Sequence, residues 1–558
     1  MSSPSPWQVM TAISAVAGYV ATTAFHPQWS TASFVSYFVG SWVVSFFGWA
    51  FWKVILWPKV FSPLRDLPEP KNLSWYNGQW AKIKALPNGS PMQEWAATVP
   101  HNGVIRYLGL LNQERLLVIS PKALAEVLVT KNYEFCKPSS VRFALSRVLG
   151  FGILMAEGDE HKTQRRNLMP AFAFRHIKDL YPIFWAKSRE GVHAMARQIE
   201  LDAAQDPSSS KAGFLEISSW ASRITLDIIG VAGLGRDFGA IADPTSPLFQ
   251  TYKTVFKPSR GAQLLNMLGL LLPSWVVSRI PVQRNSDMRG ASITIRRTCA
   301  ELIREKKERM AREKERADVD ILSVALESGG FTDENLVDQL MTFLAAGHET
   351  TASSTTWAIY LLCRYPEVQA RLRREVRERL PGVDGGDAAA TISSLDVDRM
   401  PYLNAVCSEV LRYYAPVPMT FREAAVDTTI QGHPVPKGTR IVLSASAVNK
   451  ELALWGPDAR QFNPDRWLPK YDGDKGAAAG GATSNYAFMT FLHGPRSCIG
   501  SSFARAEFAC LLAALVGKME FELRYPEDGD EDKLEIKSGV TSRPAKGMHV
   551  KVRVLDGW

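Results

Sequence analysis

The most uniform hydrophobic pattern lies at the start of the chain, where the first charged residue is Lys53. Two apolar stretches, Trp7 to Phe25 and Phe34 to Trp57, are each long enough to cross a hydrocarbon core of about 30 Å as a helix. Between them, His26-Pro27-Gln28 contains a helix breaker. The pattern predicts a membrane anchor within residues 1–57 with one or two transmembrane helices, because one of the two could instead lie in the interface or pack on the domain.

Basic residues follow the second apolar stretch and set its orientation. Lys53, Lys59 and Arg65 crowd its far end, so the positive-inside rule puts the next domain in the cytosol. Four prolines predict a stiff hinge over residues 58–70, and a globular domain over residues 71–558. A cleaved signal peptide is the weaker alternative, because the first stretch lacks a basic leader.

A long helical period runs through the middle of the chain from Asn335 to Leu362, and Thr332 in front of it is a suitable N-cap. Inside this apolar helix stands Gly347-His348-Glu349-Thr350. Glycine loosens a helix and buried polar groups need partners, so this run is costly in a purely structural helix and indicates a functional site. The structural alternative is that Thr350 bonds back to a carbonyl of its own helix.

Charge and cysteine content narrow the class of protein. The 558 residues carry 65 Lys and Arg against 56 Asp and Glu, and this net charge of +9 favours an acidic partner or an anionic membrane surface. We expect no nucleic-acid partner, because no basic stripe is interleaved with aromatic residues. Six cysteines without metal spacing or a disulfide framework fit a reducing compartment. No glycine-rich dinucleotide fingerprint follows a strand, so another protein must supply electrons for any redox reaction.

A candidate metal ligand stands near the end of the chain in the run Phe491-Leu492-His493-Gly494-Pro495-Arg496-Ser497-Cys498-Ile499-Gly500. A helical period follows, so the Cys498 thiol lies at a helix entrance, where the helix dipole stabilises a thiolate. Gly494 bends the loop, and Gly500 lets the backbone approach something flat. Such a thiolate can ligate haem iron, and Arg496 can offer its cation to a haem propionate. The alternative is a buried free cysteine.

This run resembles the haem-binding loop of the cytochrome P-450 family, and Cys498 is the position that matches the family's iron ligand. Similarly, Ala345 to Thr351 resembles part of the family's long central helix, which crosses the substrate face of the haem. The resemblance implies that Thr350 and Glu349 are catalytic and steer protons toward the reacting oxygen. It covers nearly the whole chain after the hinge, with the motifs in the family's order.

Two further segments match a structural feature of the same family. In Glu409-Val410-Leu411-Arg412 the acid and the base are three residues apart and can pair on one helix face. The run Phe462-Asn463-Pro464-Asp465-Arg466-Trp467 supplies a second arginine in a turn. Together they resemble the family's Glu-Arg-Arg triad, which implies that Glu409, Arg412 and Arg466 are a scaffold for the haem loop without a chemical role.

The resemblance also implies partners for the haem propionates. His161 stands where the family usually has Trp, and Arg165 keeps the expected spacing of four residues. A solvated basic helix start is the alternative for this segment. Arg422 matches a propionate position in some relatives. The implied cofactor is haem b, and the residues expected around it are Cys498 as axial iron ligand, Arg496, Arg165, His161, Arg422, Phe491, Gly494 and Gly500.

The implied fold is mainly α with small β-sheets, and the haem is buried between the central helix and the helix after Cys498. Independently, Val435 to Leu443 and Met548 to Val554 have the pattern of strands. The implied activity is that of a haem-thiolate monooxygenase, which inserts one oxygen atom from O2 into a carbon–hydrogen bond.

Partners and location also follow from the resemblance. Electrons are expected from NADPH through a separate cytochrome P-450 reductase, with cytochrome b5 as a second candidate donor. The expected location is the endoplasmic reticulum membrane of a eukaryote, with a fungus favoured and the catalytic domain facing the cytosol.

The predicted substrate is a lipophilic small molecule, because the segments expected around the pocket are mostly apolar. A specialised metabolite such as a terpenoid or polyketide is favoured, and a fatty acid or sterol is the alternative. A haem-thiolate isomerase or dehydratase that uses no oxygen, and a non-catalytic membrane haem carrier, also stay open; Glu349-Thr350 argues against the isomerase. The expected lining segments are Val141 to Leu154, Gln263 to Ile280, Phe343, Ala346, Pro416 to Thr420 and Val540 to Thr541.

Overall fold

The structure is a computed structural model that describes residues 5–558 except 26–28, 72, 86, 88, 206–211, 258, 270–271, 313–319, 386–390, 471–475, 477–478 and 537–538. The predicted break at His26-Pro27-Gln28 lies outside the described residues.

Helices dominate the described part of the chain. The α-helices found there are α1 (Pro6–Phe25), α2 (Thr31–Phe51), α3 (Trp80–Ala85), α4 (Ser90–Thr98), α5 (Pro121–Ala125), α6 (Ser139–Leu149), α7 (Gly158–Leu168), α8 (Phe174–Ile177), α9 (Tyr181–Gln205), α10 (Ile217–Ile228), α11 (Pro247–Phe256), α12 (Arg260–Leu268), α13 (Ser274–Val277), α14 (Gln283–Arg312), α15 (Ile321–Glu327), α16 (Asp333–Arg364), α17 (Pro366–Arg379), α18 (Ser394–Asp398), α19 (Pro401–Tyr413), α20 (Ala445–Val448), α21 (Leu452–Trp455) and α22 (Ser501–Lys518). The strands are β1 (Val104–Leu108), β2 (Glu114–Val118), β3 (Phe135–Cys136), β4 (Ala212–Glu216), β5 (Thr420–Ala424), β6 (Thr428–Ile430), β7 (His433–Val435), β8 (Arg440–Leu443), β9 (Met519–Leu523) and β10 (His549–Val554).

The two N-terminal helices are long and apolar enough to cross a membrane. They pack closely, because a Cβ at Gly18 of α1 would lie 3.1 Å from the Phe38 nitrogen of α2. After α2 the chain continues without a break as a π-helix, Trp52–Phe61, which includes Pro58. The helix therefore extends four residues into the segment predicted as a hinge, with Pro58 inside its π-helical part.

Three small sheets flank the helices. The largest has the order β1-β2-β8-β5-β3, with β2 and β8 parallel and the other pairs antiparallel, and the others are β4-β10-β9 and β6-β7. The strand predicted from Val435 to Leu443 is in fact the end of β7 and all of β8. A turn separates them, with Gly438 at φ +85°, where the Pro436-Lys437-Gly438 run reverses the chain.

The main hydrophobic core surrounds α16 and α22, and a second core lies under the largest sheet. The prediction of the long central helix is confirmed, since α16 runs for 32 residues, about 48 Å at 1.5 Å per residue. The Thr332 side chain caps it by accepting a hydrogen bond from the Asn335 N–H at 3.3 Å. The predicted class, mainly α with small β-sheets, is confirmed as well.

Candidate active site

The cysteine loop is closed by its own backbone before α22 begins. The Cys498 N–H donates to the Phe491 carbonyl oxygen at 2.8 Å. Gly494 has φ +74°, and a Cβ there would lie 2.2 Å from the Leu128 carbonyl oxygen. Both its backbone angle and the neighbouring chain therefore exclude a side chain at this position. The loop holds Cys498 in a fixed place just ahead of the first turn of α22.

The Cys498 thiol lies at the wall of an interior cavity. The residue is exposed to a solvent probe, whereas burial raises the pKa of its thiol. The Gly500 N–H and the charge of Arg165 act in the opposite direction and stabilise a thiolate. A Cβ at Gly500 would meet the Phe172 ring at 3.7 Å, an ordinary contact, so this ring lies next to the loop. A sulfur that is accessible yet surrounded by protein borders a cavity, unlike the buried thiols of Cys299, Cys407 and Cys510.

One face of α16 is also accessible, like the Cys498 side chain. Ala346, Gly347 and Thr350 are partly exposed, although the residues on either side of them are buried. Their spacing of i, i+1 and i+4 puts them on one side of the helix. The Phe172 ring, which lies next to Gly500 of the cysteine loop, is also 5.3 Å from the ring of Phe343, one turn earlier on α16. The open face of α16 and the thiol therefore border one cavity.

The Thr350 hydroxyl donates to the Ala346 carbonyl oxygen at 2.7 Å. The back-bond considered as the structural alternative is thus formed. It uses the hydroxyl hydrogen, and the oxygen can still accept a hydrogen bond from a group in the cavity. Near it, the His348 carbonyl accepts a hydrogen bond from the Thr225 hydroxyl of α10 at 3.0 Å, so α16 is engaged by an outside donor at this turn.

The Glu349 side chain turns away from the open face of α16 and is only 4% exposed. Its Oε2 lies 2.8 Å from Nη2 of Arg543, and its Oε1 accepts a hydrogen bond from the Thr541 hydroxyl at 2.8 Å. Arg543 also donates to the Ser222 hydroxyl of α10 at 3.0 Å. The two residues predicted to act together therefore point in different directions. Sequence reasoning did not identify Arg543, although it selected the neighbouring Thr541 as pocket lining.

A cluster of buried cations lies beside the cysteine loop. The register of the largest sheet sets Cys136 opposite Glu423, which brings the residue after β3, Lys137, next to the strand that carries Arg422. Arg422 is 1% exposed, and among the described residues its Nε has no hydrogen-bond partner. Arg496 of the cysteine loop donates to the Phe135 carbonyl oxygen of β3.

Positive charge exceeds negative charge in this cluster. Burial and then Arg422 lower the pKa of Lys137 to about 7, while burial and then Arg496 lower the pKa of Arg422 to about 10. The negative charge of Glu157 opposes both shifts. Its carboxylate also forms an ion pair with Arg496. Lys137 and Glu157 carried no motif by which sequence reasoning could find them. An anionic ligand at this place would relieve the mutual repulsion of the cations.

His161 and Arg165 both lie on α7, but they have different partners. The Nδ1 of His161 is 3.2 Å from the Tyr133 hydroxyl, and burial together with nearby cations lowers the pKa of the ring to about 4. His161 is therefore neutral at pH 7. Arg165 donates to the Ser497 carbonyl oxygen at 2.7 Å and to its hydroxyl at 3.3 Å, beside the thiol. The solvated basic helix start considered for this segment does not describe His161, which is 3% exposed.

The predicted triad forms behind the cysteine loop. Glu409 and Arg412 are fully buried and paired through two contacts of 2.7 Å, and Arg466 Nε lies 3.2 Å from the same carboxylate. Asn449 links this group to the loop, since its side chain donates to the Arg412 carbonyl oxygen at 3.1 Å and to the Thr490 hydroxyl at 2.9 Å. The arrangement fixes the chain immediately before Phe491.

The residues present fit a haem group. The thiol borders a cavity, and a buried guanidinium whose Nε has no partner among the described residues lies among excess cations that suit two carboxylates. A planar ring with a central iron and two propionates matches both features.

Comparisons with known proteins agree with this geometry. The family model described as cytochrome P-450 matches residues 68–552. Among curated relatives, the cytochrome P-450 monooxygenase sphH of Aspergillus fumigatus is 47% identical over 510 residues, with 91% of each chain covered. The monooxygenase ALT8 of Alternaria alternata is 45% identical, with 91% of this chain and 93% of the relative covered. FUM15 of Gibberella moniliformis, also named a cytochrome P-450 monooxygenase, is 46% identical, with 90% of each chain covered.

The chain belongs to the cytochrome P-450 family. It is an oxidoreductase of the monooxygenase class, and the family's cofactor is haem iron. These findings confirm the resemblance stated from the Cys498 loop and the central helix.

Proposed function

We propose that this protein is a membrane-anchored haem-thiolate monooxygenase that inserts one oxygen atom from O2 into a lipophilic specialised metabolite, such as a terpenoid or a polyketide. The observation that carries the proposal is the accessible Cys498 sulfur at a cavity bordered by the open face of α16. The thiolate would ligate iron on one side, and the substrate would lie between the haem and α16.

Several side chains around the cavity would hold the cofactor. Cys498 would be the axial ligand, and the propionates would be bound by Arg422, Arg496, Arg165, His161 and Lys137. Phe491, Gly494 and Gly500 would shape the loop. When bound, the thiolate-ligated haem supplies the oxidising chemistry by activating O2.

Thr350 is the proposed proton-handling group at the cavity. Its oxygen can accept a hydrogen bond from a water there while its own hydrogen is held by Ala346. Glu349 stands behind it as a carboxylate whose two oxygens are engaged by Thr541 and Arg543. For Glu349 to pass protons, as the family resemblance implies, its side chain would have to leave these partners and turn toward Thr350.

The apolar lining supports a lipophilic substrate. Phe172, Phe343 and Ala346 border the cavity with hydrocarbon, which favours an apolar ligand. The relatives are monooxygenases of fungi. We propose specialised metabolites as the substrate class, and a fatty acid or a sterol is the competing class, to be distinguished by the products.

The proposed location is the endoplasmic reticulum membrane, with the catalytic domain in the cytosol. The two N-terminal helices and the basic residues that follow them support this orientation. The anchor would comprise residues 1–57 with its helix continuing to Phe61, the hinge the remainder of residues 58–70, and the catalytic domain residues 71–558. Electrons would come from NADPH through a separate cytochrome P-450 reductase, with cytochrome b5 as a second donor.

The test is expression of the full chain in microsomes together with a reductase. The reduced protein with carbon monoxide should show the strongly red-shifted Soret band of thiolate ligation, and Cys498→Ala should lose it. A panel of lipophilic compounds is then incubated under ¹⁸O2, where a product should carry one labelled oxygen atom. A normal thiolate spectrum from Cys498→Ala would disprove the ligand assignment, and turnover without label would indicate an isomerase or dehydratase instead.

A further inference from the structure

Glu157 joins three segments around the proposed propionate site. It lies just before α7, and its Oε1 accepts a hydrogen bond from the Lys137 backbone N–H at 2.8 Å. Its Oε2 forms an ion pair with Nη1 of Arg496 in the cysteine loop. The carboxylate is 12% exposed and the guanidinium 3% exposed, so the pair is shielded from bulk water. One side chain thus connects the segment after β3, the start of α7 and the loop that carries Cys498.

The charge of Glu157 opposes that of several cations. Arg142, Arg422 and Arg496 each lower the pKa of Lys137, and Glu157 raises it. Glu157 also raises the pKa of Arg422. Four positive groups and this one carboxylate therefore act on one another over short range, in a region where protein rather than water screens them.

The ion pair with Glu157 leaves Arg496 with N–H donors that can bind another group. A guanidinium has five N–H donors, and Arg496 uses one toward Glu157 and one toward the Phe135 carbonyl oxygen. The remaining donors keep the orientation that these two bonds impose. An arginine fixed in this way loses little conformational freedom when it binds a carboxylate.

We propose that Glu157 is a positioning residue for the haem, which orients Arg496 toward a propionate and whose negative charge lowers the reduction potential of the iron. This rests on the proposed function. Reduction adds one negative charge to the haem, and a fixed carboxylate near the propionates disfavours that charge. Removing the charge while keeping the shape should therefore make the haem easier to reduce.

The experiment is a redox titration of the full-length holoprotein in detergent, comparing wild type with Glu157→Gln. We expect the ratio of ferrous to ferric protein at a fixed potential to rise at least threefold, a shift of about +28 mV for one electron at 59 mV per tenfold. Haem content and the carbon monoxide spectrum are measured in the same samples. Glu157→Asp, which keeps the charge, should return the potential to near the wild-type value.

The chain offers a closely matched control. Glu114 is 13% exposed and pairs at 2.9 Å with Arg106, which is 3% exposed, in the second hydrophobic core. Glu114→Gln therefore removes an equally buried charge elsewhere, and it should leave the potential unchanged. A Glu157→Gln protein that binds haem normally and has the wild-type potential would overturn the proposal.

Loss of haem would also give a clear answer. If Glu157→Gln binds no haem, Glu157→Asp tests whether the negative charge is required. A Glu157→Asp protein that binds haem and has the wild-type potential would support a requirement for the charge at this position. An Asp variant that is folded by circular dichroism but also lacks haem would overturn the role of the charge. If wild type itself lacks the thiolate spectrum, the proposed function fails instead, so the two failures are distinguishable.

Discussion

Replacing Glu409 should destabilise the domain more than replacing any exposed acid. Its buried carboxylate accepts two hydrogen bonds from Arg412 at 2.7 Å and one from Arg466 at 3.2 Å. It also accepts the Asn463 N–H at 2.8 Å and the Trp467 indole N–H at 2.9 Å. Glu409→Leu removes all five acceptor contacts and leaves Arg412, which is fully buried, without its ion-pair partner among the described residues.

The magnitude follows from that uncompensated charge. Removing one partner of a buried ion pair costs about 3–5 kcal/mol, whereas an exposed pair contributes about 0–1 kcal/mol. Arg466 retains Asp458 at 2.8 Å, so Arg412 dominates the loss. The double variant Glu409→Leu with Arg412→Leu should then recover part of the stability, because the charge of Arg412 is removed together with that of Glu409.

The effect should reach the haem loop through Asn449. Its side chain contacts Arg412 and Thr490, and its Oδ1 accepts the Met489 N–H at 2.7 Å. A shift of Arg412 would therefore displace the chain just before Phe491. We expect Glu409→Leu to lose thiolate ligation as well as stability.

The assay is urea unfolding of the detergent-solubilised holoprotein by circular dichroism, together with the carbon monoxide spectrum. Glu308→Gln is the control, since Glu308 forms an exposed pair with Arg312. The reasoning is refuted if Glu409→Leu unfolds within about 1 kcal/mol of wild type and keeps the thiolate spectrum.

Three other perturbations have defined outcomes. Thr350→Val should lose about 1 kcal/mol of stability, because the hydrogen bond to Ala346 is removed. In a reductase assay the variant should release peroxide and form less product for each NADPH oxidised. An unchanged ratio of product to NADPH oxidised would remove Thr350 from the catalytic residues. The pKa of His161 is about 4 in the folded protein and about 6.5 in the unfolded chain. Between these pH values the unfolded chain binds more protons, so the stability of the folded protein falls as the pH is lowered from 6.5 toward 4. His161→Trp should reduce the difference between urea midpoints at pH 7 and pH 5, and an identical difference would contradict this. Deleting residues 1–51 should weaken membrane binding in flotation assays and retain haem. Deleting residues 1–61 should also destabilise the domain, because Arg106 and Asn112 donate hydrogen bonds to the carbonyl oxygens of Pro58 and Val54. Equal stability of the two truncated proteins would argue against these contacts.

Features that depend on a short stretch of sequence were predicted well. The N-cap at Thr332 and the period of α16 depend on residues one or two turns apart, so the helix could be identified from its own sequence. The same holds for the bend of the Cys498 loop, where Gly494 has φ +74°. The apolar N-terminal helices belong to this class too. By contrast, the end of the second helix was misplaced because Pro58, a local breaker, lies within a π-helical turn.

The pairings of charged side chains that lie on separate segments were decided by the tertiary structure. Glu349 and Thr350 are adjacent in the chain, but successive helix positions point about 100° apart, and the fold covers one with Arg543 while leaving the other at the cavity. Lys137 and Glu157 carry no motif and become parts of a site because the sheet register and the start of α7 bring them to Arg496. The sequence by itself determined the family and the long helices, since these depend on local order, and it predicted the Cys498 thiol as the iron ligand. Only the tertiary structure decided which charges of separate segments face one another, because contacts such as Glu157–Arg496 and Glu349–Arg543 join residues 339 and 194 positions apart.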